Sequence, residues 1–431
     1  MRSTPYRLYA LVDCNNFFVS CERVFNPKLN NRPVVVLSSN DGCVISRSNE
    51  AKKLGIAMGE PFFKLRDVVQ QHNIVVLSSN FALYGDLSTR IMNVIMHFFP
   101  DVDIYSIDEA FIDLTSLCKN FDVYKLCADL SQKIEQYTGV PVSIGIAPSK
   151  TLAKVANHIA KKHVGTHRVF YLDCTQKTQG ILQEFAVGDV WGIGRQTERK
   201  LHAMGIYTVA ELLTLPNKVV HENFTVVMKR ILLELQGISC IKLKDTAANK
   251  QQIMISRSFG HRVTELAQLQ EAIATYTTMA CEKLRRQSSI TAGIYVFLHT
   301  GLHGAPETVY RNSLYISLPH RSSDTRQIIH WAKRGIRHLF RPGFKYKKVG
   351  VILCDLSSAD SMQIDLFGHA NLVHSEELMQ LIDEINNKFG RATVQFAAAG
   401  LEKSWKTQFA KRSAAFTLSW HKLPKVRLQP L

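Results

Sequence analysis

The sequence has no apolar run approaching the roughly 18 residues of a membrane span. Met1-Arg2-Ser3-Thr4-Pro5 leads straight into a strand-like stretch, with no signal-peptide core. There is no C-x-x-C pair, and the nine cysteines are an odd number scattered from Cys14 to Cys354. A disulfide framework and a zinc ribbon are therefore disfavoured, and a reduced cytoplasmic setting is expected. Internal repeats and low-complexity tracts are also missing. With 46% hydrophobic and 21% charged residues the chain is globular, not mainly disordered. Its 431 residues are enough for about three domains. Negative charge is what it most lacks: 36 Asp+Glu stand against 53 Lys+Arg, a net +17. Such an excess points to a polyanionic partner, with nucleic acid first.

The excess is concentrated. Between Tyr310 and Lys348 stand ten Lys and Arg opposed only by Asp324, interleaved with Tyr, Trp and Phe. From Lys403 to Arg427 there is no acidic residue at all. Stretches of this kind suit a phosphate backbone, which they position against without reading its sequence.

Spacing organises the rest. Residues 6–12 form a β-prone run ending at Asp13, and 33–38 and 73–77 are short apolar runs between turn residues. Residues 82–98 carry apolar side chains at helical spacing and stop before Pro100. Strands are expected at 104–107 and 110–114 around Asp108-Glu109, a helix at 123–137, a strand at 142–146 and a helix at 149–162. That order predicts a split β-α-β sheet with helices on one face, interrupted between Asp13 and Asn80 by an inserted subdomain. Residues 172–243 read as helical and 244–252 as a linker. Mixed strands and helices follow from 253 to 354, then a break at 357–361 and a helix at 375–389.

Three acids fall among apolar β-runs: Asp13, Asp108 and Glu109. A buried unpaired carboxylate is costly, so each needs a cation, a donor cluster or a raised pKa. In a regular strand Asp108 and Glu109 point to opposite faces, and they converge only if the chain turns there. Three carboxylates meeting would make an oxygen-rich site suited to Mg²⁺. Taken alone, an Asp-Glu pair is equally what a surface turn favours.

The motif Asp13-Cys14-Asn15-Asn16-Phe17-Phe18-Val19-Ser20-Cys21-Glu22 is followed by Tyr105-Ser106-Ile107-Asp108-Glu109-Ala110-Phe111. Then comes Ser143-Ile144-Gly145-Ile146-Ala147-Pro148-Ser149-Lys150, with Leu152-Ala153-Lys154 and Ala160-Lys161. In kind and order these resemble the motifs of the Y-family translesion DNA polymerases. The likeness covers residues 6–355. The tail beyond Ser357 is most similar to the UmuC-type branch, the catalytic subunits of the bacterial SOS mutagenesis polymerase and their mobile-element relatives.

The resemblance implies a multidomain α+β right hand. It comprises a ferredoxin-like palm (1–16 and 80–171), small fingers (17–79), a helical thumb (172–243), a linker (244–252), an α/β little finger (253–356) and a clamp- and partner-binding region (357–431). The implied activity is error-prone DNA synthesis past damaged template bases in the SOS response, by two-Mg²⁺ nucleotidyl transfer in the bacterial cytoplasm.

Carried over by motif, Asp13, Asp108 and Glu109 are the metal ligands, joined by the Cys14 carbonyl. Phe18 is the aromatic gate against the ribose 2′-hydroxyl, and Lys52 and Lys161 contact the triphosphate of the incoming dNTP. Many members have Tyr and Arg where this chain reads Asn49-Glu50-Ala51-Lys52, so Asn49 offers no phenolic contact and Lys52 no bidentate fork. The UmuC branch has a similar Glu-Ala-Lys. Val190-Trp191-Gly192-Ile193-Gly194 resembles a helix-hairpin-helix turn, where Gly192 and Gly194 would let backbone N–H groups reach a phosphate of the primer-template DNA. Arg257 resembles a template-backbone contact on the first little-finger strand. Gln363-Ile364-Asp365-Leu366-Phe367 matches the peptide by which bacterial polymerases bind the sliding clamp. The basic tail after Leu401 could meet DNA, the UmuD′ homodimer or RecA.

A catalytically silent DNA-binding scaffold has no need of three buried acids. A nucleotide cyclase on a similar palm leaves the helix-hairpin-helix and the basic final domains unaccounted for.

Overall fold

The computed structural model describes residues 7–162, 168–173, 176–241, 243, 249–301, 308–361 and 371–423. Two compact units divide the chain. The first takes Met1–Ser38, Gly42–Thr246 and Lys411–Leu431, and the second Ser39–Asp41 and Ala247–Ala410. Among the described residues no helix is long and apolar enough to cross a membrane.

The first unit runs through β1 (Tyr9–Cys14), α1 (Phe17–Phe25), β2 (Val34–Leu37), β3 (Val44–Arg47), α2 (Asn49–Lys53), α3 (Arg66–Gln71), β4 (Val75–Ser78), α4 (Phe81–Phe98), β5 (Val102–Ile104), β6 (Glu109–Asp113), α5 (Val123–Thr138), β7 (Val142–Ala147), α6 (Lys150–Lys162) and β8 (Val169–Tyr171). Helices α7 (Gln176–Glu184), α8 (Arg195–Ala203), α9 (Val209–Leu213), α10 (Asn217–Asn223) and α11 (Val226–Leu235) complete it. Its main sheet has the order β5-β6-β1-β7-β8. Strand β1 is antiparallel to both neighbours and buried along its whole length.

Period-two alternation gives β1 two different faces. Ala10, Val12 and Cys14 enter a core with α4 and α5, where Leu83, Leu87, Ile91 and Ile95 repeat at helical spacing. Leu11 and Phe111 enter a separate core with α6 and the helices beyond it. Helices therefore cover both faces, not one as the element order suggested. The cause is β8, which pairs parallel to β7; α6 is the crossover a parallel pair demands. Gly145 permits the close seating of α6. A Cβ there would stand 2.2 Å from the Asn157 nitrogen and 2.3 Å from the Ala153 carbonyl. Asn157 also donates from Nδ2 to the carbonyls of Leu11 and Ser143.

The inserted segment forms a three-stranded sheet, β3-β2-β4, over a small core of Val35, Leu37, Val44, Ile56, Leu65 and Val76. In the second unit, β9 (Ile253–Val263), α12 (Leu266–Arg286), β10 (Ser289–His299), β11 (Arg311–Ser322), α13 (Thr325–Leu339), β12 (Tyr346–Ser358) and α14 (Asn371–Phe389) follow in order. The sheet order is β11-β10-β12-β9, antiparallel throughout. Helix α13 buries Ile328, Ala332, Ile336 and Leu339 against it, and α12 buries Leu269, Ile273, Tyr276 and Leu284.

The expected C-terminal region 357–431 does not stand apart. Trp405 is buried in the second unit's core, with its ring 5.6 Å from Tyr276 and 6.2 Å from Phe259. Helix α14 is fixed by a two-pronged Arg285–Asp383 pair at 2.7 and 2.8 Å. Residues 411–423 belong to the first unit. Most of the expected linker, residues 244–248, and the clamp peptide Gln363–Phe367 lie outside the described residues.

Candidate active site

The register of β1 fixes the first acids. Asp13 lies directly opposite Glu109, the first residue of β6, and residues so paired project to the same face. That face is covered by α6. Lys154 and Lys161 are two helical turns apart and share a side of the helix. Lys161 Nζ is 2.8 Å from Asp13 Oδ1, and Lys154 Nζ donates to both Glu109 oxygens at 3.0 and 2.8 Å. Lys154 is also enclosed by aromatic rings, 4.7 Å from the Tyr105 centroid and 5.3 Å from that of Trp191. Trp191 Nε1 donates to the Tyr105 hydroxyl at 3.2 Å.

Asp13 is 8% exposed. Burial pushes its carboxyl up to about 7; Lys161 pulls it down and Glu109 pushes it up again. Asp108 sits on the turn before β6. Its carbonyl accepts from the Cys14 N–H at 2.9 Å, and its carboxylate accepts from Ser106 Oγ at 2.6 Å. Asp13 and Glu109 thus stand together with Asp108 beside them. Among the described residues, however, no three His, Cys, Asp or Glu side chains close into a cluster able to hold a metal. Each carboxylate has its own partner here: Lys161 for Asp13, Ser106 for Asp108 and Lys154 for Glu109.

Next to Asp13 opens a cleft of about 670 Å³ lined by Asn15, Asn16, Ser20, Arg23, Asn49, Lys52, Lys161 and Arg168, among others. Asn16 takes the left-handed conformation (φ 48°) that starts α1, which asparagine tolerates, and its Nδ2 donates to Asn49 Oδ1 at 3.0 Å. The first turn of α1 therefore lines the cleft with its positive end. Lys52 is exposed along the cleft, where partial desolvation of its ammonium together with Arg47 and Lys161 holds it below the usual lysine range.

Phe18 is half-buried and stacks on Tyr84 at 4.5 Å and 16°, with Phe81 edge-on at 6.2 Å. Gly192 has φ +95°, a conformation that favours glycine, and Gly194 caps α8; both are exposed. Arg257 is exposed on the edge strand β9, yet it shares the parity of buried Ile255 and Phe259 and lies on the α12 side. Sequence reasoning missed the roles of Lys154 and Arg23. Arg23 bonds Glu50 at 2.9 Å and reaches the carbonyls of Leu29 and Arg32. A lysine seven residues before Lys161 was the one signal available for the first; an arginine inside α1 gives none.

Solved polymerases share this architecture. A Y-family DNA polymerase chimera of Dbh and Dpo4 superposes with a TM-score of 0.64 at 23% identity, covering 81% of this chain and 99% of its own. The insertion ternary complex of Dbh DNA polymerase gives 0.54 at 21% identity, covering 81% and 99%. The fold is thus that of the Y-family polymerases, multidomain and mixed α+β.

Residues 12–158 match the impB/mucB/samB family, 250–366 its C-terminal domain, and 376–426 a domain of unknown function. The chain is 39% identical to the protein UmuC of Salmonella typhimurium over 422 residues, 97% of this chain and 100% of that one. It is 36% identical to MucB of Escherichia coli over 418 residues, covering 97% and 99%. It is 28% identical to DNA polymerase IV of Moorella thermoacetica over 398, covering 90% and 95%. The chain belongs to the impB/mucB/samB family.

Proposed function

We propose that this protein is a DNA-directed DNA polymerase that extends primers past damaged template bases in the bacterial SOS response. The observation that carries the reading is Asp13 seated opposite Glu109 at the end of β1, backed by the α6 lysines and opening on a cationic cleft. About 670 Å³ is room for a nucleoside triphosphate.

The donors offered to a metal are all oxygen, the chemistry Mg²⁺ prefers, and a buried Asp13 beside Glu109 calls for cationic charge. Asp13, Asp108, Glu109 and the Cys14 carbonyl would hold the two ions. When bound, Mg²⁺ supplies charge neutralisation at the triphosphate and a more acidic primer hydroxyl. The chain's own residues do the rest. Lys52 and Lys161 act as point charges on phosphate oxygens, and the first turn of α1 adds N–H donors. Lys154 holds the Glu109 carboxylate in place. Phe18 bars a 2′-hydroxyl. No cysteine serves as nucleophile here: Cys14 faces the α4–α5 core, and burial raises its thiol well above the ordinary range. Positioning and electrostatics carry the reaction.

We assign the palm to 1–16 and 80–171, the fingers to 17–79, the thumb to 172–243 and the little finger to 253–356. Gly192, Gly194 and Arg257 meet phosphates of the primer-template, Gln363–Phe367 engages the sliding clamp, and the basic tail meets the UmuD′ homodimer or RecA in the cytoplasm. The test is primer extension past an abasic site by wild type and Asp108→Ala, with clamp and accessory proteins supplied. Extension that requires Mg²⁺ and disappears in the variant is expected. Equal extension by Asp108→Ala overturns the reading.

A further inference from the structure

Glu22 is a buried acid for which the nucleotide site has no use. It is 2% exposed and sits one turn after Phe18 on the same side of α1. Its Oε1 accepts from the Tyr84 hydroxyl at 2.8 Å and from Ser413 Oγ at 3.1 Å. Ser413 is 391 residues away in sequence and lies in the part of the chain that matches a domain of unknown function.

The segment around it is fastened along its length. Ser78 N–H donates to the Lys411 carbonyl at 3.0 Å, and the Lys411 N–H returns to Ser78 Oγ at 2.8 Å. Asn80 Nδ2 donates to Ser413 Oγ at 2.9 Å and to the Ala414 carbonyl at 3.2 Å. The Phe416 ring stacks on Phe25 at 5.0 Å and 3°. All of these residues belong to the first unit.

Tyr84 joins this strap to Phe18. Its hydroxyl is held by Glu22, and its ring lies 4.5 Å from the Phe18 ring and nearly parallel to it. A buried carboxylate requires its donors. With the Ser413 hydroxyl gone, Tyr84 is left as the hydroxyl donor on Glu22 Oε1, and the pair must shift to recover a second.

We propose that Ser413 is a positioning residue for sugar selection: the C-terminal strap fixes Glu22 and Tyr84, and Tyr84 fixes the plane of the Phe18 ring. The proposal rests on the reading of Phe18 as the sugar gate and extends it, making discrimination at the start of the chain depend on residues at its end. Ser413 touches no substrate and acts through Glu22.

The experiment is single-nucleotide primer extension, with dNTP and rNTP, by wild type, Phe18→Ala, Ser413→Ala and Ser413→Thr. Ser413→Ala should raise KM for the dNTP and lower dNTP/rNTP discrimination about tenfold, well inside the roughly hundredfold that a misplacement of 1 Å can cost. Its kcat with dNTP should be nearly unchanged. Ser413→Thr keeps the hydroxyl and should restore both. A general loss of stability would lower kcat and leave the ratio alone, which overturns the proposal. Wild-type discrimination in Ser413→Ala, with discrimination lost in Phe18→Ala, overturns it too but leaves the polymerase reading standing. Unchanged discrimination in Phe18→Ala removes the gate and this inference together, and absence of extension by wild type removes the enzyme reading as well. Should Ser413→Ala not fold, Tyr84→Phe, which cuts the same link beyond Glu22, is held to the same outcomes.

Discussion

Substituting Gly145 by alanine tests how the fold delivers its lysines to the carboxylates. By strand propensity alone the change should stabilise, by about 0.5–1 kcal/mol. The structure reverses that sign. The new methyl would stand 2.2 Å from the Asn157 nitrogen, 2.3 Å from the Ala153 carbonyl and 2.7 Å from the Ala156 carbonyl carbon. All three are backbone atoms of α6, so no rotamer change relieves the clash. Restoring ordinary contact at 3.4 Å moves the helix by about 1.2 Å from its closest point, on the usual scale for overpacked cores. The expected cost is about 1–3 kcal/mol of stability. Because Lys154 and Lys161 travel with α6, nucleotide incorporation should fall about a hundredfold, the price of misplacing a positioned group by 1 Å. Thermal melting followed by circular dichroism and steady-state incorporation by the folded variant check both parts. If Gly145→Ala melts at or above wild type with full activity, the close seating of α6 is wrong.

Two further predictions concern the second unit. Asp383→Ala leaves Arg285 bonded to the Ser323 carbonyl and Thr325 Oγ alone, and loss of this largely buried pair should cost about 3 kcal/mol. Increased proteolysis within 371–389 should accompany it, and wild-type resistance would count against the pair as the anchor of α14. Asp324 caps α13, and burial works to raise its carboxyl. The bonds from Arg326 and Ser375 outweigh burial and hold it below the ordinary 3.8. A lowered folded value contributes stability that is full above the unfolded value and lost as pH falls through the folded one. Wild type should therefore exceed Asp324→Asn by a constant amount above about pH 4, with the gap closing below it; a gap independent of pH in urea titrations would refute the assignment.

Much of this was legible because the signals are local. Helix α4 was readable from Leu83, Leu87, Ile91 and Ile95, and the odd position of Asp13 at the end of an apolar run marked the site. Strand β3 was not, since Val44–Arg47 is four residues long and mixes Ser and Arg into its pattern. Strand β8 is three residues long, too short for any period to show. The strand expected at 104–107 formed at Val102–Ile104 instead, and its apolar residues Ile104, Tyr105 and Ile107 are exposed around the turn. Within the site, the carboxylates could be read and their partners could not. Lys154 meets Glu109 because of how α6 crosses the sheet, and Ser413 meets Glu22 across nearly the whole chain. Such contacts are tertiary and leave no periodic trace in sequence.

The C-terminal stretch bears on how partner binding should be tested. It reads in sequence as an appendage after the last strand, but its residues complete two cores. Removing the chain beyond Ser361 would expose the surfaces that Trp405 and Phe416 cover, Phe259 and Tyr276 in one unit and Phe25 in the other. An aromatic ring of this size buries roughly 150–250 Å². At about 25 cal/mol per Å² that is some 4–6 kcal/mol for Trp405 alone, comparable to the whole stability of many domains. A truncated protein that loses clamp, UmuD′ or RecA binding would therefore report unfolding as readily as a lost contact. Leu366→Ala with Phe367→Ala in the full chain leaves Trp405 and Phe416 in place, so loss of clamp pull-down with distributive synthesis retained would locate the contact, and equal clamp binding would reject it.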